Sequence, residues 1–151
     1  MARPMVIVRP VGRDERAAWE PLWAGYLKFY KATLPPANWD IAWQRLHDPA
    51  EPMHLLGAYV DGKLQGMVHY LFHRSTWTAG NYCYLQDLFV AGGGRNHGLG
   101  RALIEAVYAK AREAGASRVY WLTHETNETA RALYDKVADR SGFIQYRKML
   151  G

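Results

Sequence analysis

The stretch that most restricts this chain lies between residues 82 and 113. A run dense in β-forming residues from Asn81 to Val90, Asn81-Tyr82-Cys83-Tyr84-Leu85-Gln86-Asp87-Leu88-Phe89-Val90, gives way to a glycine-rich segment that reaches Gly100. Leu99, Leu103, Ala106, Val107, Lys110 and Ala111 then recur at helical spacing as far as Gly115. Residues 118–123 read as the next strand. A strand–loop–helix–strand unit of this kind belongs to a mixed α/β domain. The loop between strand and helix is a natural anion site. Its N–H groups lack helical partners, the helix dipole favours negative charge there, and glycine lets the backbone close on a ligand.

The remaining segments extend this reading. Residues 6–8 form a first strand, with Gly12 and Asp14 as turn and cap signals. Trp19, Leu22, Trp23, Tyr26, Leu27 and Tyr30 share one face of an amphipathic helix. Pro21 should kink that helix or mark its start, and Pro35-Pro36 should end it. Asn38 is expected to cap a short helix carrying Ile41, Trp43 and Leu46. Residues 53–60 and 64–73 flank Asp61-Gly62, a strong hairpin signal. A helix over 126–140, ended by Gly142, and a last strand over 143–149 complete the order β-α-α-β-β-β-α-β-α-β. One α/β domain over residues 1–151 is expected.

Composition excludes several classes. The 151 residues are 49% hydrophobic and 22% charged, an ordinary balance for a folded domain. The one cysteine, Cys83, cannot form an internal disulfide. No apolar run approaches a membrane span, and the first residues lack a signal peptide's apolar core, so a cytoplasmic protein without a membrane partner is expected. The net charge of +5 permits an anionic ligand. Its basic residues are spread along the chain and its aromatics keep core spacing, which disfavours nucleic acid.

The loop itself narrows the ligand. No Lys-Ser/Thr follows the glycines, so a Walker loop fails. The Rossmann fingerprint fails too, because His97 or Leu103 stands where its third glycine belongs. What fits is Arg95-x-x-Gly98-x-Gly100 after a hydrophobic strand. It is followed by Asn127-x-x-Ala130-x-x-x-Tyr134. These segments resemble the [RQ]xxGx[GA] acetyl-CoA motif and the NxxAxxxY helix of the GNAT N-acetyltransferase superfamily. The resemblance covers essentially the whole chain and is dense from Tyr82 to Tyr146. It is closest in appearance to the fungal histone and D-amino-acid acetyltransferases and to the diamine acetyltransferases.

The resemblance implies that Arg95, Asn96, His97, Gly98, Leu99, Gly100 and Arg101 wrap the pyrophosphate of acetyl-CoA. It implies that the main chain of Leu88, Phe89 and Val90 takes the pantetheine arm like an added strand, with an oxyanion donor near Leu88. Asn127 would cap its helix and touch the cofactor, and Tyr134 would contact the cofactor and protonate the leaving thiolate. On spacing alone, Tyr134 also fits the apolar face of its helix. The general base is where the sequence departs from the family pattern. Gln86 stands where related polyamine enzymes carry Glu, and a carboxamide takes no proton near neutral pH. Asp87 ranks first among the alternatives, although strand alternation turns it away unless a bulge intervenes. Glu125 and His124 follow. His69, His73 and Tyr84 lie on the central strands, where a lone histidine is more often structural. Tyr26, Tyr30 and Gln86 are candidates to contact the acceptor.

No histidine spacing suggests a metal, and Cys83 reads as a packed residue. The expected activity is acetyl transfer from acetyl-CoA to a small-molecule or protein amine by direct attack in a ternary complex. The alternative is a non-catalytic CoA-binding module, and a homodimer is expected from base rates.

Overall fold

The computed structural model describes residues 3–92 and 97–151. The elements are β1 (Val6–Pro10), α1 (Arg16–Phe29), α2 (Pro36–Leu46), β2 (Met53–Val60), β3 (Lys63–His73), β4 (Tyr82–Val90), α3 (Leu99–Glu113), β5 (Val119–Tyr120) and α4 (Glu128–Val137). A short 3₁₀ turn, Arg13–Glu15, leads into α1. The sheet has five strands in the order β1-β2-β3-β4-β5. Neighbouring strands are antiparallel except for β4 and β5, which are parallel. That parallel step follows from the helix between them, which carries the chain back across the sheet. None of the described helices is long and apolar enough to cross a membrane.

The Asp61-Gly62 turn forms as the sequence requires, with φ of 50° and 84° joining Val60 to Lys63. Pro21 does not start α1 but lies inside it. The second helix starts earlier than expected. Pro36 takes the first helical position, where a missing N–H costs nothing, and Asn38 falls inside the first turn.

Two cores form, one on each side of the sheet. Val11, Trp19, Leu22, Trp23, Leu27, Trp43 and Leu46 pack on Leu55, Tyr59, Leu64 and Met67. On the other side, Leu99, Leu103, Ile104, Val107 and Ala111 of α3 pack on Leu56, Ala58, Val68, Tyr70, Cys83 and Leu85. Helix α1 comes close to β4 at Gly25, where a Cβ would lie 2.7 Å from the Phe89 ring. The missing side chain lets α1 carry Tyr26 up against the strand.

The last expected strand is not formed. Residues 138–151 carry no regular structure, and Phe143, Ile144, Tyr146, Met149 and Leu150 are 76–91% exposed. The strand over 118–123 shortens to Val119–Tyr120. The physical reason is shared: a strand needs a paired neighbour, and a two-residue β5 offers almost none.

Candidate active site

The site is made by an irregularity in β4. His69 pairs with Asp87 and Tyr70 with Leu85, so Gln86 has no partner on β3. This extra residue is a β-bulge, and it reverses the alternation of the strand beyond it. Cys83 and Leu85 belong to the α3 side, and so do Leu88 and Val90. Phe89 packs on the α1 side, in step with Asp87. The bulge therefore brings Asp87 to the α1 face and leaves Gln86 exposed.

Asp87 is 8% exposed and His69 is 5% exposed. His69 Nδ1 lies 2.9 Å from Asp87 Oδ2, and the Trp19 indole Nε1–H donates to His69 Nε2 at 3.0 Å. Burial and the nearby Asp87 carboxylate raise the hydroxyl pKa of both Tyr26 and Tyr30 above the ordinary tyrosine value. Tyr84 is raised by burial, then by Asp87 and Tyr120. Asp87 is thus faced by three tyrosine hydroxyls that keep their protons and by the His69 ring.

The Tyr30 ring connects this cluster to the next strand–helix junction. It lies 5.7 Å from the His124 ring and 4.9 Å from that of Tyr26. Tyr30, Phe29 and Lys31 form one wall of a cavity of about 420 Å³, with His124, Thr126 and Asn127 opposite. Tyr134 is half-buried on α4, its ring 5.3 Å from that of Trp121. Burial, then Tyr30, raise its hydroxyl pKa, so it keeps its proton at neutral pH. Asn127 caps α4 as expected, its Oδ1 accepting from Ala130 N. Glu125 is exposed, and its carbonyl accepts from Arg131.

The cofactor elements can be tested against a thioester with a phosphorylated tail. β5 pairs with β4 only at Cys83 and Tyr84. Beyond that point, no described strand pairs with the edge of β4 that carries Leu88, Phe89 and Val90. A pantetheine amide fits such an edge as an added strand does. At the start of α3, Gly98 stands at φ 67°, and Ala102 N is the first amide bonded back to it. The amides of Leu99, Gly100 and Arg101 precede that bond, and the first turn holds no acid. Those features suit a pyrophosphate. His97 and Arg101 are exposed there, and Arg101 pairs with Glu105 at 2.6 Å. Arg95 and Asn96 lie outside the described residues.

A model of the acetyltransferase (GNAT) family matches residues 18–138. The chain belongs to this family. It is similar to the D-amino-acid N-acetyltransferase HPA3 of Saccharomyces cerevisiae, at 34% identity over 152 aligned residues, covering 98% of this chain and 93% of that protein. Among solved structures, it resembles the ribosomal-protein-alanine N-acetyltransferase of Brucella melitensis biovar Abortus 2308, with a TM-score of 0.78, 24% identity and coverage of 97% of this chain and 100% of the other. The structure of AAC(6')-Iy with a CoA-linked bisubstrate analogue matches with a TM-score of 0.81 at 16% identity, covering 97% of this chain and 99% of the other. This GNAT protein is therefore an N-acetyltransferase, and acetyl-CoA is its donor.

Sequence reasoning ranked Asp87 first as base but could not see the bulge that turns it inward. It missed the hydrogen bonds that join Trp19 to His69 and His69 to Asp87. Trp19 and His69 stand 50 residues apart in the chain, and neither spacing nor motif marks them as partners.

Proposed function

We propose that the chain acetylates a small primary amine by direct attack in a ternary complex, with Asp87 as general base and Tyr134 as general acid. The observation that carries this reading is the bulge at Gln86, which buries a carboxylate on the face that α1 and the cavity share. An ammonium entering past Tyr30 gives a proton to Asp87, directly or through water. The freed nitrogen attacks the thioester carbonyl, a C–N bond forms, and the developing oxyanion takes a backbone N–H near Leu88. The C–S bond then breaks, the departing sulfur takes the Tyr134 proton, and the second proton that the nitrogen sheds on becoming an amide passes through water to restore the Tyr134 hydroxyl. Holding both reactants against the free edge of β4 supplies much of the remaining acceleration. Leu88, Phe89 and Val90 hold the pantetheine arm, while His97, Gly98, Leu99, Gly100, Arg101 and the sequence-assigned Arg95 and Asn96 hold the pyrophosphate. Asn127 contacts the cofactor from the opposite side.

Lys31 and His124 on the cavity wall favour an acceptor that carries an anionic group beside its amine, such as an amino acid. The similarity to a D-amino-acid N-acetyltransferase points the same way. Tyr26 and Tyr30 shape the amine's approach, and Gln86 contacts the acceptor at the rim. The chain works as a cytoplasmic homodimer in which a second copy covers the exposed apolar residues between Phe143 and Leu150. Sedimentation of the full chain tests this, with a monomer at micromolar concentration refuting it.

The test of the reaction is CoA release across a panel of amines and of L- and D-amino acids. Release with an amino acid, slowed about 10²- to 10⁴-fold by Asp87→Asn, is expected. Tyr134→Phe should lower kcat about a hundredfold, with little change in acetyl-CoA affinity. Bound acetyl-CoA with no CoA release for any amine would instead indicate a binding module.

A further inference from the structure

We propose that Trp19 and His69 are positioning residues that fix a neutral His69 with its proton on Nδ1, so that Asp87 meets the amine with one oxygen already occupied. This rests on the reading of Asp87 as the base.

The argument starts from what an indole can do. Its Nε1–H is a donor with no acceptor function. At 3.0 Å from the Trp19 nitrogen, His69 Nε2 must present a lone pair. A proton on Nε2 would set two N–H groups against each other inside the core. The single ring proton therefore sits on Nδ1, which donates to Asp87 Oδ2 at 2.9 Å. The chain of bonds runs from Trp19 through His69 to Asp87, and each group is 8% exposed or less.

Two consequences follow for the chemistry. Asp87 Oδ2 is held in place, so the proton from the amine goes to Oδ1, on the carboxylate that the Tyr26 hydroxyl also faces. The imidazole is also prevented from becoming a cation. An imidazolium at this distance would stabilise the ionised Asp87 and make it a weaker base. The other groups facing the pair are neutral as well: Trp23 and Tyr26 from α1, Tyr30 at its C-terminal cap and Tyr84 from β4. Trp39 and Trp43 wedge the Trp19 ring, at centroid distances of 6.2 and 5.0 Å, and fix the direction of its N–H. The tryptophans of this core thus orient a donor in addition to filling space.

The experiment has a spectroscopic arm and a kinetic arm. Long-range ¹⁵N–¹H NMR of the ¹⁵N-histidine-labelled full chain should show the His69 ring protonated on Nδ1 and not titrating between about pH 5 and 8. A proton on Nε2, or a ring that titrates in that range, overturns the proposal whatever the activity. In Trp19→Phe the ring stays but the donor goes. His69 should then titrate, and kcat should acquire an extra acid-side ionisation. His69→Leu should lower kcat about ten- to a hundredfold and move the acid limb of the kcat profile to higher pH, with KM for acetyl-CoA unchanged. His69→Asn, which can still donate to Asp87, should recover most of the loss. Equal loss in the Leu and Asn variants, with the wild-type pH profile, would reduce His69 to a packing role. If the Leu variant does not fold, the tautomer of the wild-type protein still decides. Full activity in Asp87→Asn would remove Asp87 as base while leaving the tautomer result intact, so the two readings fail separately.

Discussion

The side of the sheet under α3 is filled by Leu56, Ala58, Val68, Leu85, Leu99, Leu103, Ile104 and Val107. The side under α1 and α2 is filled by Trp19, Trp23 and Trp43, and it also encloses His69 and Asp87, the two buried polar residues among those described. Aliphatic side chains offer volume in defined rotamers and no hydrogen-bonding demand. A tryptophan adds an N–H that needs a partner when buried. On the tryptophan face the Trp19 N–H supplies a partner to the buried polar pair by bonding His69. The same sheet separates a mainly aliphatic core from one that encloses a buried histidine–aspartate pair.

That contrast predicts opposite behaviour for substitutions a strand's width apart. Asp87→Asn keeps an acceptor for His69, so the fold should survive, but kcat should fall about 10²- to 10⁴-fold. Steady-state rates together with thermal melts check both halves. A large drop in Tm with a matching loss of rate would mean that Asp87 is structural. Leu103→Ala on the opposite face should do the reverse. Leu103 is 0% exposed, and its truncation should cost about 2–5 kcal/mol of stability. Its kcat, corrected for the folded fraction in denaturant titrations, should stay near wild type.

A smaller change tests the seam between α1 and β4. A methyl at Gly25 would meet the Phe89 ring at 2.7 Å. Gly25→Ala gains helix propensity, but the clash should leave it about 1 kcal/mol or more less stable. It should also lower activity by more than its stability loss explains, because α1 carries Tyr26 and ends at Tyr30, its C-cap. Unchanged kinetics would show that the tyrosines need no close approach to β4.

The two faces were not equally legible in the sequence. The α3 face follows from periodicity, since Leu99, Leu103, Val107 and Ala111 announce a buried stripe without further information. The Asp61-Gly62 turn and the Asn127 cap are equally local, and both appear where they were expected. The α1 face depends on register. Whether Asp87 points inward is decided by one unpaired residue, Gln86, and no local pattern marks a bulge there. Trp19 and His69 meet only because α1 crosses β3, a tertiary event that neither residue signals. The missing last strand has a similar cause. Residues 143–149 carry β-forming side chains, but β pairing needs a partner edge, and the short β5 does not provide one.

The smallest expected effect concerns the edge of the tryptophan face. Glu15 accepts from Arg9 at 2.8 Å, from Gly12 N at 2.9 Å and from the Tyr59 hydroxyl at 2.8 Å. These bonds favour the carboxylate, and the Arg9 bond leads in holding the Glu15 pKa down at about 2. Because the folded value lies below the unfolded one, near 4.5, the contribution is complete above that pH. It is lost as pH falls from about 4.5 towards 2, because the unfolded chain takes up the proton first. The Arg9 side chain is 47% exposed, so screening limits the gain to about 1 kcal/mol. Glu15→Gln should therefore flatten the acid side of the stability profile while leaving stability at neutral pH lower by about that amount. If amide exchange shows α3 opening before α1 as the pH drops, the acid-sensitive tie is not at the tryptophan face.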